Sequence, residues 1–162
     1  MSELITVGIS DVKITKNPGA LVTYALGSCI GICLYDTALK IGGLAHIMLP
    51  YRPEYNAEEQ VINRYADACL PVMVGEMETM GCLRTRIQAK IAGGAKMFEV
   101  ANDSAFGNIG ARNIVAVKKT LADLGIRIQA EDTGLNYGRT VYFYTETGIM
   151  VVKSFAKGEK RF

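Results

Sequence analysis

An α+β fold with strands gathered at both ends of the chain is what this sequence predicts, and three features predict it. Short apolar or alternating runs separated by turn residues fill the chain from Leu4 to Leu49, and similar runs return from Ile126 to Ser154. Only two segments carry the spacing of long helices, and they lie between the strand groups instead of alternating with strands. The 162 residues suit one domain, with no internal repeat, low-complexity tract or Pro/Gly/Ser-rich linker.

The elements follow in order. Leu4 to Ile9 and Val12 to Thr15 read as short strands, and Asn17-Pro18-Gly19 as a turn. Leu21 to Leu26 and Ile30 to Tyr35 flank a Gly27-Ser28 turn, and Ile41 to Leu49 is a further apolar run. Continuous apolar runs of this kind suit strands covered on both faces. Pro50 to Arg64 is polar and reads as a mobile loop. A helix is expected from about Arg64 to Met80, kinked by Pro71 and stopped by Gly81. Arg84 to Ile91 reads as a strand and Gly93-Gly94 as a tight turn. Asn108 is a suitable N-cap for a helix to about Leu124, with Gly125 as its stop. Its Ile114, Val117, Leu121 and Leu124 share one face. Strands at Ile126 to Ala130, Arg139 to Thr145 and Ile149 to Ser154 complete the fold, the last two joined by Glu146-Thr147-Gly148.

Composition removes several functions. At 49% hydrophobic and 21% charged, the chain is far from disordered sequences. A net charge of +2 with scattered Lys and Arg argues against nucleic-acid binding. Lys157, Lys160 and Arg161 form the one basic cluster and read as a solvated C-terminal tail. Asn17 to Tyr35 has no charge and approaches the length of a membrane span, but its glycines and Pro18 favour two buried strands over insertion. The N-terminus has no secretory pattern, so a cytoplasmic protein with reduced thiols is expected.

Four cysteines, Cys29, Cys33, Cys69 and Cys82, accompany a single histidine, His46. There is no Cys-x-x-Cys pair, so neither a structural zinc site nor a histidine-rich metal centre has a ligand set. Any imidazole chemistry must use His46. Cys29 directly follows Gly27-Ser28 where one strand turns into the next, a place where a sulfur can be exposed and amides can face an oxyanion. Attack on an amide needs a thiolate, hence an imidazole nearby. His46 lies in the following apolar run, and Thr23 can orient its ring through a hydroxyl. The opposing reading is equally physical: cysteines are often buried as small hydrophobes, and a histidine on an apolar strand is often a hydrogen-bonded core residue. Cys33 suits that role, and Cys69 and Cys82 carry little catalytic weight.

Other segments are weaker. Ala92-Gly93-Gly94-Ala95 can cradle a phosphate but lacks the ending of a P-loop. Asn108 to Asn113 can hold an anion at a helix start, against the simpler reading of a cap. Glu131 and Asp132 can serve acid–base or magnesium chemistry, against solvated charges at a turn.

At these residues the sequence resembles the CheD family of chemoreceptor glutamine deamidases. The matching stretches are Lys16 to Gly19, Leu26-Gly27-Ser28-Cys29, Ala45 to Pro50, Ala89 to Ala95, Met97-Phe98, Asn108 to Asn113 and Ala130 to Gly134, in the family's order and across most of the chain. Leu135 departs from the pattern, which tends to have a second glycine there, and the Pro50 to Asn63 loop differs freely. The resemblance implies packed β-sheet layers, sandwich-like, flanked by two long helices and related to bacterial toxin deamidases. It places the catalytic cysteine, histidine and threonine on Cys29, His46 and Thr23. It also implies hydrolysis of receptor glutamine to glutamate through a thioester without any cofactor, and methylester hydrolysis in some members. Implied partners are the cytoplasmic helices of chemoreceptors as substrate and a CheC-type phosphatase. The alternative function is as a regulatory partner of that phosphatase, with Phe98 or Phe106 as contacts.

Overall fold

The computed structural model describes residues 3–53, 61–97 and 108–162. Among the described residues, ten strands and two α-helices run in the order β1 (Leu4–Thr6), β2 (Asp11–Lys16), β3 (Ala20–Leu26), β4 (Ile30–Asp36), β5 (Ile41–Ile47), α1 (Ala66–Thr79), β6 (Ile87–Gly93), α2 (Ile109–Asp123), β7 (Arg127–Thr133), β8 (Arg139–Tyr144), β9 (Ile149–Ser154) and β10 (Gly158–Arg161). One sheet has the order β1-β3-β8-β9-β10 and the other β2-β5-β4-β6-β7. Each is antiparallel apart from one parallel pair, β1 with β3 and β6 with β7. The α+β expectation holds, with two packed sheets and two helices.

Strand alternation builds two cores. On β4, Ile30, Ile32 and Leu34 face the helices, together with Ala45 and Ile47 of β5, Ala89 and Ile91 of β6, Met73 and Met77 of α1, and Val117 and Leu121 of α2. Cys33 and Tyr35, the alternate residues of β4, face the other sheet and meet Leu21, Leu26, Val141 and Phe143. Every residue of β4 and β5 is therefore buried. The uncharged run from Asn17 to Tyr35 is this pair of layers seen in sequence, not a membrane span. Among the described residues no helix is long and apolar enough to cross a membrane.

The structure shifts several elements. The first strand stops at Thr6, and Val7 turns inward, almost fully buried. Helix α1 passes through Pro71 as one continuous element. Pro71 is exposed, so the carbonyl it leaves without an N–H partner belongs to the solvent side. Residues Arg84–Arg86 form a 3₁₀ turn, and strand β6 begins only at Ile87. Asn108 precedes α2 but makes no side-chain cap. Glu131 and Asp132 lie within β7, not in a turn, and are held by Lys118 and Arg139. The basic C-terminal segment is exposed as expected, yet it forms β10, paired antiparallel with β9. Leu135 stands at φ 60°, the left-handed region where glycine is favoured. Half of the Pro50 to Asn63 loop, and both Phe98 and Phe106, lie outside the described residues.

Candidate active site

Strands β3 and β4 belong to different sheets, so the chain must cross between layers at Gly27-Ser28-Cys29. That crossing is prepared upstream. The pairing of β3 with β8 slips by one residue between Thr23 and Leu26, and Ala25 in the bulge has φ 59°. The extra residue lets Thr23 and Leu26 both face inward although three positions apart. Cys29, half-buried, packs against the inter-sheet core.

His46 lies on the same side of its sheet. In the β4–β5 ladder it is opposite Gly31, whose missing side chain leaves the ring uncrowded, and Cys29 is the alternate residue before Gly31. A Cβ at Gly31 would meet Leu26 Cδ1 at 3.1 Å and Thr23 Cγ2 at 3.5 Å, which places Leu26 and Thr23 beside Gly31. The structure therefore brings Thr23 and His46 into contact between the sheets, with Cys29 diagonally across the ladder from His46 and packed against the same inter-sheet core. Cys33 is four residues on from Cys29 along the same face and is buried. Cys69 and Cys82 lie in the other core, against the helices.

The histidine's tautomer follows from its partners. Thr23 Oγ1 is 2.7 Å from the Val7 carbonyl and 2.7 Å from His46 Nδ1. A carbonyl can only accept, so the single hydroxyl proton of Thr23 goes to Val7. The Thr23 oxygen must then accept from Nδ1–H, which leaves Nε2 with its lone pair. Nε2 is buried and has no hydrogen-bond partner among the described residues, Cys29 included. Burial moves the imidazole pKa down to about 4. Burial also raises the Cys29 pKa above the ordinary thiol value, opposed only by its own backbone amide. At neutral pH the resting pair is a thiol and a neutral imidazole, not the ion pair that nucleophile chemistry alone suggests.

The turn itself is clamped. The carbonyls of Gly27, Ser28 and Cys29 accept from Ala95 N at 2.9 Å, Asn113 Nδ2 at 2.9 Å and Gly94 N at 2.9 Å. The amides of Gly94 and Ala95 are thus used on the cysteine turn, and the Ala92 to Ala95 segment is not a free phosphate cradle. In each peptide the N–H points away from the C=O. Fixing the carbonyls of Gly27 and Ser28 therefore directs the N–H groups of Ser28 and Cys29 the other way. Glycine is required beside them: a Cβ on Gly93 would lie 2.2 Å from the Cys29 carbonyl oxygen, and one on Gly110 would lie 2.5 Å from that of Ala95. Sequence reasoning missed Val7, which acts through its backbone and leaves no side-chain signal. It also missed Asn113, although the helix-opening segment that contains it stood out.

Fold and site together define a class: a two-sheet α+β protein whose single histidine is held by a threonine beside a cysteine at the crossing between sheets. No cluster of potential metal ligands occurs among the described residues. The family model described as CheD chemotactic sensory transduction matches residues 48–154. A probable chemoreceptor glutamine deamidase CheD of Caldanaerobacter subterraneus is 46% identical, with 98% of each chain covered. The chemoreceptor glutamine deamidase CheD of Thermotoga maritima is 44% identical over 95% of this chain and 94% of its own. This chain belongs to the CheD family. The model match begins after His46, whereas these relatives span the cysteine turn as well. A solved Bacillus licheniformis hypothetical protein, YfiH, shares the fold with TM-score 0.50 and 14% identity over 78% of this chain, which spans about half of that protein's length.

Proposed function

We propose that this protein deamidates glutamine side chains of chemoreceptors, with Cys29 as nucleophile and His46 as base. One observation carries the mechanism: the Val7 carbonyl, Thr23 hydroxyl and His46 Nδ1 form a chain of 2.7 Å contacts that fixes the base with Nε2 unprotonated. As the substrate carboxamide arrives, the Cys29 thiol proton passes to Nε2 and the sulfur attacks the amide carbon. The developing oxyanion faces the N–H groups of Ser28 and Cys29. Nε2–H then protonates the leaving nitrogen, ammonia departs and a thioester remains on Cys29. Water deprotonated by Nε2 attacks the thioester, and glutamate is released with the thiol restored. No cofactor enters this sequence.

Substrate entry is from the exposed side of the turn, where Met97 stands 44% exposed over Gly27 and gives the mouth an apolar rim. This suits a side chain presented by a folded helix. The relevant receptor helices are cytoplasmic, so the site of action is the cytoplasm. A CheC-type phosphatase presenting a similar helix would compete for the same mouth and slow the reaction.

The test is mass spectrometry of receptor cytoplasmic fragments, with free glutamine as a control. Cys29→Ala and His46→Ala should each abolish the mass gain of about one unit, Thr23→Ala should reduce it less, and the Cys29/His46 double variant should be no worse than either single one. Rapid turnover of free glutamine without receptor modification overturns the proposal.

A further inference from the structure

Asn113 is fully buried in the first turns of α2, away from the proton chain, and the mechanism above does not use it. Its Nδ2 donates two hydrogen bonds, each 2.9 Å, to the carbonyls of Ser28 and Met48. Ser28 is the residue before the nucleophile, and Met48 lies just beyond the strand that carries His46. One amide group thus joins the two backbone segments that hold Cys29 and His46. The remaining atom, Oδ1, is buried without a partner among the described residues. Rotating the amide would set Oδ1 against two carbonyl oxygens, so the observed orientation is the only favourable one. Packing α2 against the sheet would be served as well by an apolar side chain, since a buried unpaired oxygen is costly. The two donated bonds are what an apolar residue cannot supply.

We propose that Asn113 is a positioning residue for the reaction: its carboxamide sets the separation of the cysteine turn and the histidine strand and orients the Ser28–Cys29 peptide whose N–H faces the oxyanion. The inference rests on the deamidase reading. Asn113 touches no reacting atom and acts through Ser28 and Met48. Losing it should leave receptor binding intact and slow chemistry, because displacements on the order of an ångström cost about a hundredfold in rate.

The experiment compares the full-length protein with its Asn113→Ala and Asn113→Asp variants on a receptor cytoplasmic fragment. Val117→Ala, one turn further along the same helix and with no bond to the cysteine turn to lose, controls for stability. At temperatures where all are folded, both Asn113 variants should lose about 10- to 100-fold in kcat with KM changed less than about twofold, and Val117→Ala should keep its kcat. Wild-type kcat in Asn113→Asp, a change confined to KM, or an equal kcat loss in Val117→Ala overturns the proposal. Cys29→Ala runs alongside. Deamidation surviving in that variant sinks the Cys29 mechanism, and a wild type that leaves the receptor unmodified sinks the deamidase reading itself; both results are distinct from an Asn113 failure in an enzyme that does need Cys29. If neither Asn113 variant folds, the wild type still decides by NMR. The Asn113 side-chain amide protons should exchange slowly and shift when Cys29 is alkylated; rapid exchange with no shift refutes the bridge.

Discussion

Cys29 differs from the other three thiols in access more than in acidity. Burial raises all four above the ordinary thiol value: Cys69 to about 12, Cys82 to about 11, and Cys33 further still. Only Cys29 is half-exposed. The thiolate is the reactive form, so Cys29 should be sluggish toward iodoacetamide at neutral pH in the free protein. Its labelling rate should still be climbing above pH 9, because a raised pKa delays ionisation. Peptide mapping should find Cys29 modified well before Cys33, Cys69 or Cys82. Equal labelling of Cys29 and Cys33, or a plateau below pH 8, would contradict a neutral resting pair. The residue types at this site were legible in the sequence because a single histidine leaves one candidate base. The protonation state was not, because it depends on the Val7 carbonyl and on burial between the sheets.

At the scale of elements, the carbonyls of the cysteine turn are held by the two residues that follow β6 and by α2. Gly93 ends β6 at φ 116°, a conformation that L side chains rarely adopt, and its Cα approaches the Cys29 carbonyl closely. Gly93→Ala should therefore push the turn outward. A cost of about 1–3 kcal/mol in denaturant midpoints is expected. Receptor deamidation should fall by more than the loss of folded protein explains. Retained activity in a destabilised Gly93→Ala protein would show that the clamp is not needed for chemistry. The helices, both β-rich regions and the turn were located from sequence, since α2 carries a clear apolar stripe and Gly81 marks the end of α1. Sequence reading misplaced the start of β6 and the end of β7, and it took β10 for a tail. A strand whose side chains are all exposed has no apolar pattern to reveal it, and its order comes from backbone pairing with β9. The two glycines read as a tight turn, with a phosphate cradle as the weaker alternative, serve a close approach of backbones, a contact between distant segments that local spacing does not encode.

For the whole molecule, burying the single histidine between two sheets makes stability depend on pH. His46 is fully buried with its pKa lowered to about 4 by loss of solvation, against 6.5 in the unfolded chain. The unfolded state therefore binds the proton more readily, and the native state loses ground wherever that difference is populated. The contribution is fully present above pH 6.5 and is lost as pH falls from there towards about 4. Between pH 7 and pH 5 the linkage amounts to about 2 kcal/mol. Carboxylates act lower on the scale. Burial pushes the Asp36 pKa up, but Arg86 and the amides of Ala38, Leu39 and Leu83 outweigh it and hold the group below its ordinary 3.8. Asp11 is likewise held below 3.8 and Glu131 below 4.5, so their contributions too are lost only at more acid pH. Urea unfolding of the wild type at pH 7 and pH 5 should then show a marked fall, and His46→Gln, neutral at both values, should show almost none whatever its absolute stability. An unchanged fall in His46→Gln would mean that other groups cause the acid sensitivity and that the imidazole is far less desolvated than its position between the sheets requires.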